Sequence, residues 1–299
     1  MATGRFFAFC GRCPVLHDAH SLLSGDEPGF VRKLSSVAYP SGLLKDATGL
    51  VLNVASDRSL AWHIARQATI HGARCGVGYL PLARMERRVR NALKEGGLDN
   101  QWIHPCDVSS DDSIKAFFDA AAGHFGRIDF LVHSLAFAQR QYLQPGKFLA
   151  TPREAFLQAV DISAYSLLAV ARAARPLMPN GGAILTLTYL GSERAVPGYN
   201  VMGVAKAALE ATVRYLALEL GPAGIRVNAI SAGPVRTLSA MAVGGIDEML
   251  AHVQAKSPLK RNIDGDDVAK SAIYLLSDLS SGVTGEIIHV DAGYSMVGL

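Results

Sequence analysis

Concentrated charge and long apolar runs are both scarce in this chain of 299 residues. Only 18% of the residues are charged, the net charge is +3, and no run of Lys and Arg exceeds two residues. The sequence therefore lacks the basic footprint of a nucleic-acid-binding protein. No stretch of about eighteen uninterrupted apolar residues occurs, so no membrane span is expected. With 49% hydrophobic residues, the chain is predicted to form a soluble protein with a large core.

Cysteine is also rare. Four cysteines in a chain of this length fit a reducing cytoplasm, which is the location we expect. Cys10-Gly-Arg-Cys13 has the spacing of a redox motif or of half a zinc site, and His17 lies nearby. A structural zinc ion needs four ligands, and no second pair follows at a suitable distance. We therefore predict that the protein has no metal site.

The patterning of the chain changes near residue 45. Residues 1–45 mix Arg, Gly, Pro and aromatic residues without helix or strand periodicity. We predict a disordered N-terminal extension there, while a transit peptide and an over-long start-site assignment stay open as alternatives. Residues 46–299 alternate apolar strands with helical segments. This pattern predicts an α/β fold of the Rossmann type, a single doubly wound parallel sheet with helices on both faces.

The predicted elements follow from hydrophobic periodicity. The strands are 49–53, 73–79, 101–104, 128–133, 183–189, 225–230 and 286–290, and the helices are 60–71, 85–95, 113–125, 154–178, a helix carrying Tyr199 and Lys206, and 266–277. Ligands of such sheets bind beyond the carboxyl ends of the strands. The functional residues are therefore expected directly after the strands.

The stretch from Tyr189 to Lys206 is the most informative part of the sequence. Tyr199 and Lys206 are seven positions apart, which is almost two full helical turns, so we predict that they share one face of a helix. A Lys beside a Tyr stabilises phenolate, and we expect Lys206 to lower the pKa of Tyr199 and make it a usable acid. The alternative is an ordinary amphipathic helix with an exposed Lys and a half-buried Tyr.

Several strand ends carry groups that suit a dinucleotide. Ser59 lies where a helix begins, so it is a candidate either to help hold a pyrophosphate or simply to cap the helix. Asp107 is a candidate to accept from an adenine amino group or to cap the next helix. The motif Gly-x-Gly-x-x-Gly is absent. The residue directly after the second strand is Leu80, which is neither an acid for the ribose nor an Arg for a 2′-phosphate. The missing cation favours NADH, while the nearby Arg84 leaves NADPH open.

Together these segments resemble the short-chain dehydrogenase/reductase superfamily, and within it the bacterial NADH-type enoyl-[acyl-carrier-protein] reductases of type II fatty acid synthesis. The resemblance covers about residues 46–298 and is strongest at 185–210 and 226–238. The Tyr-x6-Lys spacing and the second tyrosine, Tyr189, are specific to this branch. The resemblance implies an enoyl-acyl-carrier-protein substrate, NADH as cofactor and a homotetramer.

The resemblance also implies roles for single residues. Tyr199 is expected to hydrogen-bond the thioester carbonyl, Lys206 to bind the nicotinamide ribose, and Tyr189 to line the site, while Ala138 faces the acyl group. The implied cofactor contacts are Asn53, Ser59, Leu60, Leu80, Asp107, Val108, Leu135, Lys206, Val235, Arg236, Thr237, Leu238 and Ser239. Residues 238–256 match the family's small helical substrate lid; an ordinary helix packed on the sheet is the alternative.

Two positions depart from the family pattern. Asn53 stands where a glycine is expected; Asn tolerates the positive φ of that turn, but its side chain would enter the space beside the adenosine. Leu80 replaces a polar residue near the ribose, so a hydrogen bond is lost. Two alternatives to the NADH-dependent reductase therefore stay open. One is a divergent paralogue that reduces another enoyl or carbonyl thioester, and the other is a cofactor-poor, non-catalytic homologue.

Overall fold

A computed structural model describes residues 42–237 and 240–298 of the chain. The described residues all belong to the unit Pro40–Leu299. Residues 1–41, including Cys10 and Cys13, lie outside the described residues, and the predicted disorder of residues 1–45 stays a prediction. Two of the implied cofactor contacts, Leu238 and Ser239, are also outside them.

Seven strands form one parallel sheet, which confirms the predicted α/β fold class. The strands are β1 (Thr48–Leu52), β2 (Arg74–Tyr79), β3 (Trp102–Pro105), β4 (Phe130–His133), β5 (Gly182–Thr188), β6 (Ile225–Ala232) and β7 (Ile287–Val290). Their order in the sheet is β3-β2-β1-β4-β5-β6-β7, and every neighbouring pair is parallel. The direction of the order therefore reverses between β1 and β4, where such sheets bind ligands.

The helices also follow the predicted pattern, with one break. The structure describes α1 (Leu60–Ile70), α2 (Met85–Glu95), α3 (Asp111–Phe125), α4 (Arg153–Val160), α5 (Ser166–Ala174), α6 (Val201–Leu220), α7 (Ile246–Lys256) and α8 (Gly265–Leu276). The predicted helix 154–178 is divided into α4 and α5 by a π-helical turn, Asp161–Tyr165, and ends in a 3₁₀ turn, Arg175–Leu177.

Apolar side chains fill both faces of the sheet. On one face α1, α2 and α8 pack around Val51 and Val77. On the other, α3, α5 and α6 pack around Leu50 and Leu131. The strands β1 and β4 are buried at every position, as expected of strands covered on both faces. A third, smaller cluster around Val243 joins α4, α6 and α7, at the carboxyl edge of the sheet.

One helical segment, Arg153–Leu177, is long and apolar enough to cross a membrane by length and composition alone. Half of its most apolar window is buried inside the protein, where Leu167 and Val170 are fully covered. A core helix of a soluble protein meets the same two criteria. The segment is therefore weak evidence for a membrane span.

Candidate active site

The candidate site residues lie where strands of the sheet end. Asn53 follows β1, Leu135 and Ala138 follow β4, Tyr189 follows β5, and Val235 follows β6. The chain leaves β1 towards α1 on one face and leaves β4 towards α5 on the other. This divergence opens the crevice in which doubly wound sheets hold their ligands.

Tyr199 lies in the turn before α6 and not on the helix, so the prediction of one shared helical face was wrong. The helix begins at Val201, and Asn200 precedes it with a φ of 47°. The side-chain amide of Asn200 donates to the carbonyls of Tyr142 and Gln144, at 2.7 and 2.8 Å. Asn tolerates this left-handed backbone better than most residues. The turn therefore ends one residue after the phenol, and the helix starts only then.

The rings of Tyr189 and Tyr199 pack edge to face at this turn. Their centroids are 4.8 Å apart and their planes meet at 68°. Gly191 makes room for the contact, because a Cβ there would lie 2.3 Å from Cδ1 of Tyr199. Gly203, in the first turn of α6, lets the carbonyl of Gly191 approach, since a Cβ would lie 2.6 Å from that oxygen. The two glycines thus fix the Tyr199 ring beside β5.

Both phenols are protonated at neutral pH, and burial moves them further from ionisation. Burial raises the pKa of Tyr189 to about 12. It also raises the pKa of Tyr199 well above its usual range, and Tyr189 and Glu210 add to that rise. The predicted lowering of the Tyr199 pKa by Lys206 was therefore wrong, because the desolvation of a phenolate at this place dominates. Tyr199 is a neutral phenol that can donate a hydrogen bond.

The ammonium of Lys206 is buried beneath the crevice. Its Nζ donates to the carbonyl of Leu187 at 2.7 Å and to that of Leu135 at 3.4 Å. In the described part of the chain, no hydrogen bond joins it to Tyr199. An ammonium has three donors, so one is left for a ligand hydroxyl. Burial lowers the pKa of Lys206 to about 8, and the Glu210 carboxylate opposes the lowering.

The loop after β4, residues 134–138, is fastened from two further directions. The amide of Asn53 donates to the carbonyl of Ser134 at 2.8 Å. Ser163 Oγ accepts from the N–H of Phe137 at 2.9 Å and lies 3.2 Å from its carbonyl. Ser163 belongs to the π-helical turn between α4 and α5. Sequence reasoning missed it, because nothing in the apolar pattern marks the turn.

The two positions that depart from the family pattern behave differently. Asn53 has a φ of 66°, so the predicted positive φ is confirmed. Its amide is directed across the crevice to Ser134, and its predicted intrusion beside an adenosine stays a prediction. Leu80 follows β2 with an exposed apolar side chain, so it offers no hydrogen bond to a ribose.

Ser59 caps α1. Its hydroxyl donates to the carbonyl of Ser56 at 2.6 Å and accepts from the N–H of Trp62 at 3.4 Å. The first N–H groups of a helix, here those of Leu60 and Ala61, have no partner within the helix. The backbone at the start of α1, rather than the Ser59 hydroxyl, is therefore the part suited to a pyrophosphate.

Asp107 does not cap α3, since Ser110 does. The Oδ1 atom of Asp107 accepts from the N–H and the hydroxyl of Ser109, at 3.0 and 2.7 Å. The adjacent Val108 is buried. The carboxylate is thus fixed at the end of β3, where the resemblance expects an adenine.

The segment after β6 is tied to α7. Arg236 Nη1 lies 2.6 Å from Asp247 Oδ1 at the start of that helix. Thr237 Oγ1 accepts from the N–H of Ala240 at 3.1 Å, and Val235 packs partly against the core. The segment expected to cover a pyrophosphate is therefore joined to the helix expected to act as a lid.

α7 covers the two tyrosines. The hydroxyl of Tyr189 donates to Met249 Sδ at 3.1 Å. Met249, Ala138 and Tyr199 also pack in one apolar cluster. Ala138 and Tyr199 thus lie together, as a shared substrate site requires. The helix occupies the place expected of a substrate lid, and its movement stays a prediction.

Two buried polar residues behind the site escaped the sequence reasoning. Glu210 Oε1 accepts from Thr188 Oγ1 at 2.5 Å and from the hydroxyl of Ser192. Its position four residues after Lys206, on the same helical face, was a signal that could have found it. The other residue is His133, whose two ring nitrogens form hydrogen bonds with Thr186 and Ser166. Burial lowers the pKa of His133 to about 3, so its ring is neutral.

The donor set along this edge fits a dinucleotide. It combines a helix start for a pyrophosphate, a fixed carboxylate at Asp107, and an ammonium, Lys206, with a donor to spare. Residues 42–237 and 240–298 contain no group of three His, Cys, Asp or Glu that could hold a metal ion.

Known proteins match nearly all of this domain. A family model described as enoyl-(acyl carrier protein) reductase matches residues 54–295. A Synechocystis protein named enoyl-[acyl-carrier-protein] reductase [NADH] FabI is 50% identical over 251 residues, which are 83% of this chain and 96% of that protein. A Staphylococcus aureus protein named as the [NADPH] enzyme is 48% identical over 254 residues, 85% of this chain and 98% of that protein. Among solved structures, the crystal structure of the Bacillus cereus enoyl-acyl carrier protein reductase with NADP+ and indole naphthyridinone superposes on this chain with a TM-score of 0.83. The two sequences are 49% identical, and the match covers 86% of this chain and 100% of the Bacillus cereus chain.

Proposed function

The chain belongs to the enoyl-(acyl carrier protein) reductase family, and on that premise we propose that it reduces the trans-2 double bond of enoyl-acyl-carrier-protein thioesters with NADH in type II fatty acid biosynthesis. The observation that carries the proposal is the packed pair of Tyr189 and Tyr199 beneath α7. Lys206, the third residue of the proposed catalytic set, donates from its buried ammonium to the carbonyl of Leu187, two residues before Tyr189.

The chain's own residues act on the substrate oxygen. When bound, NADH supplies a hydride to the β-carbon of the enoyl thioester. Tyr199, which is a neutral phenol, donates a hydrogen bond to the thioester carbonyl. That bond strengthens as negative charge moves onto the oxygen in the enolate, and such a gain lowers the barrier. The enolate then takes up a proton, supplied by the solvent, at its α-carbon, which gives the saturated thioester. Met249 and Ala138, which pack with Tyr199, exclude water from this oxygen.

Other residues hold the cofactor in this proposal. Lys206 binds the nicotinamide ribose through the N–H donor that no backbone carbonyl takes, and the start of α1 at Ser59 and Leu60 binds the pyrophosphate. The remaining proposed contacts are Asn53, Leu80, Asp107, Val108 and Leu135 on the adenosine side, and Val235, Arg236, Thr237, Leu238 and Ser239 over the pyrophosphate and nicotinamide.

NADH is the proposed nucleotide because of the chain after β2. Leu80 and Leu82 are exposed there, and no cation stands at the strand end to meet a 2′-phosphate. Arg84, at the start of α2, is the nearest cation in sequence. A comparison of KM values for NADH and NADPH, before and after Arg84→Ala, tests the assignment. A lower KM for NADPH that the substitution abolishes would reverse it.

The direct test of the proposed function uses purified protein, NADH and crotonyl thioester, with nicotinamide absorbance as the readout. Tyr199→Phe removes the donor to the substrate oxygen, and loss of one such donor lowers kcat by about 100-fold or more. Tyr274→Phe, at an exposed site on α8, is the control and leaves turnover unchanged. Equal turnover by the three proteins would contradict the role of Tyr199. No turnover and no NADH binding by the wild-type protein would instead indicate a non-catalytic homologue.

The proposal includes a homotetramer in the cytoplasm. The outer face of α6 exposes Val204, Tyr215 and Leu218, and Leu157 and Tyr165 are exposed on the neighbouring helical segment. Apolar side chains grouped on one face in this way favour association. Neither a nucleic acid nor a membrane is among the proposed partners.

A further inference from the structure

Glu210 is a buried acid that the proposed chemistry does not use. It is 7% exposed and lies on the inner face of α6. A carboxylate in such a place costs free energy unless hydrogen bonds and opposite charge compensate for the lost water. Both kinds of compensation are present around Glu210, and both lead to residues of the candidate site.

The hydrogen bonds of Glu210 lead to Tyr189. Its Oε1 accepts from Thr188, directly before Tyr189, and from Ser192, three residues after it. The Ser192 hydroxyl also lies 2.9 Å from the carbonyl of Tyr189. One carboxylate oxygen therefore holds both ends of the short turn from which the Tyr189 ring projects.

The charge of Glu210 acts on Lys206, one helical turn earlier. The other ionisable groups close to this pair are His133 from β4, Tyr189 from the end of β5, and Tyr199 from the turn before α6. All three are neutral at pH 7, for the reasons given above. The ionisable side chains of the adjoining π-helical turn, Asp161 and Tyr165, are exposed. The carboxylate is therefore the negative charge that offsets the burial of Lys206.

We propose that Glu210 is a positioning residue of the reductase site. Through Thr188 and Ser192 it holds the turn that bears Tyr189, and through its charge it keeps Lys206 in the ammonium form that binds the nicotinamide ribose. The inference rests on the proposed function for the identity of the ligand at Lys206.

The first test is the pH dependence of NADH binding. Binding is measured by the fluorescence of the nucleotide from about pH 6.5 to 9.5, a range that spans the Lys206 pKa of about 8. Wild-type affinity falls as the pH rises through that pKa, because the ammonium is lost. Glu210→Gln keeps an oxygen acceptor but removes the charge, so the midpoint of this fall moves about 1 unit lower. Glu219→Gln, at an exposed position of the same helix, keeps the wild-type midpoint. An unmoved midpoint in the Glu210 variant, or a loss of affinity equal at every pH, overturns the proposal.

A second readout needs no cofactor. The pKa of Lys206 is about 8 in the folded protein against an ordinary value of 10.5. Between those values the unfolded state binds more protons, so the contribution of Lys206 to the free energy of unfolding rises with pH. In Glu210→Gln the free energy of unfolding begins to rise about 1 pH unit lower than in the wild-type protein. Urea unfolding at successive pH values measures this rise. A rise that begins at the same pH in both proteins contradicts the proposed charge effect.

Two further variants separate the hydrogen bonds from the charge. Glu210→Asp keeps the charge with a shorter reach, and Thr188→Val removes one donor. Both are expected to retain the wild-type midpoint for NADH binding and to turn over crotonyl thioester several-fold more slowly, because Tyr189 is less well held. These two variants test the proposal if Glu210→Gln does not fold. A shifted pH midpoint for NADH binding in both Glu210→Asp and Thr188→Val would overturn it. A wild-type protein that binds NADH with this pH dependence but reduces no enoyl thioester refutes the proposed function and leaves the inference on Glu210 standing.

Discussion

At the scale of single residues, Asn200 determines the position of the Tyr199 side chain. Its φ of 47° ends the turn before α6, and its amide spans two carbonyls of the segment after β4. The phenol is thereby held at the crevice edge by contacts made 56 and 58 positions away in the chain.

Replacing Asn200 with Ala tests this role. The variant loses both hydrogen bonds and places a residue with a Cβ but no polar side chain at a positive φ. Together these effects should lower the free energy of unfolding by about 2 kcal/mol or more, as measured with urea. Asn91→Ala, at an exposed position of α2, should change it by less than about 0.5 kcal/mol. Equal stability of the two variants would refute the structural role of Asn200.

The sequence singled out the two tyrosines and the lysine as candidates but did not give their electrostatic state. Spacing and residue type indicated Tyr199 and Lys206, and the family resemblance added Tyr189. The direction of the Tyr199 pKa depends on how much water burial removes and on Glu210. These are properties of the packed state, so a rule based on two residues in one helix predicted the wrong sign.

At the scale of elements, the segment after β5 and the first turn of α6 fit together through glycines. Gly191 meets the Tyr199 ring, and Gly203 meets the backbone of Gly191. This close packing places the phenol against Tyr189, and it requires that no Cβ stands between the two segments.

Gly191→Ala should therefore displace the Tyr199 ring. An added Cβ would lie 2.3 Å from that ring, so the ring must shift, and a misplaced catalytic group can lower kcat by about 100-fold. NADH oxidation with crotonyl thioester measures the loss. Gly123→Ala, in α3 where an added Cβ meets nothing within 4 Å, is the matched control and should keep full activity. A fully active Gly191 variant would show that the ring position is unimportant.

Most elements were predictable because their burial pattern is continuous in sequence. The strand β4 and the helix α2 appear within two residues of their predicted bounds. The π-helical turn between α4 and α5 could not be predicted, because the apolar pattern runs through it unbroken. The turn is set by tertiary hydrogen bonds, such as those of Ser163 to Phe137.

At the scale of the whole molecule, the reversal of strand order between β1 and β4 brings the site together. The alternation of strands and helices predicted this sheet and the edge at which the candidate site lies. It could not predict how the two sides of the crevice are joined, as by the amide of Asn53 on Ser134. Side-chain contacts between distant segments have no signature in a single sequence.

The proposed homotetramer leads to a prediction for the exposed face of α6. Leu218→Glu places a charge in the centre of an apolar contact, where a desolvated, unpaired charge is costly. Light scattering should show the wild-type protein at about four times the chain mass of 31.8 kDa and the variant at a smaller mass. Ile70→Glu, at another exposed apolar residue, on α1, should leave the assembly intact. A wild-type monomer, or a tetramer that survives Leu218→Glu, would contradict the proposed interface.

The central claim is that this site reduces a carbon–carbon double bond next to a thioester. Crotonyl thioester and NADH carrying deuterium at the transferable position on C4 test it most directly, with mass spectrometry and NMR of the product. We predict a saturated butyryl thioester with one deuterium at the β-carbon, formed much more slowly by Tyr199→Phe. Deuterium at the α-carbon, or a product reduced at the carbonyl, would contradict the account.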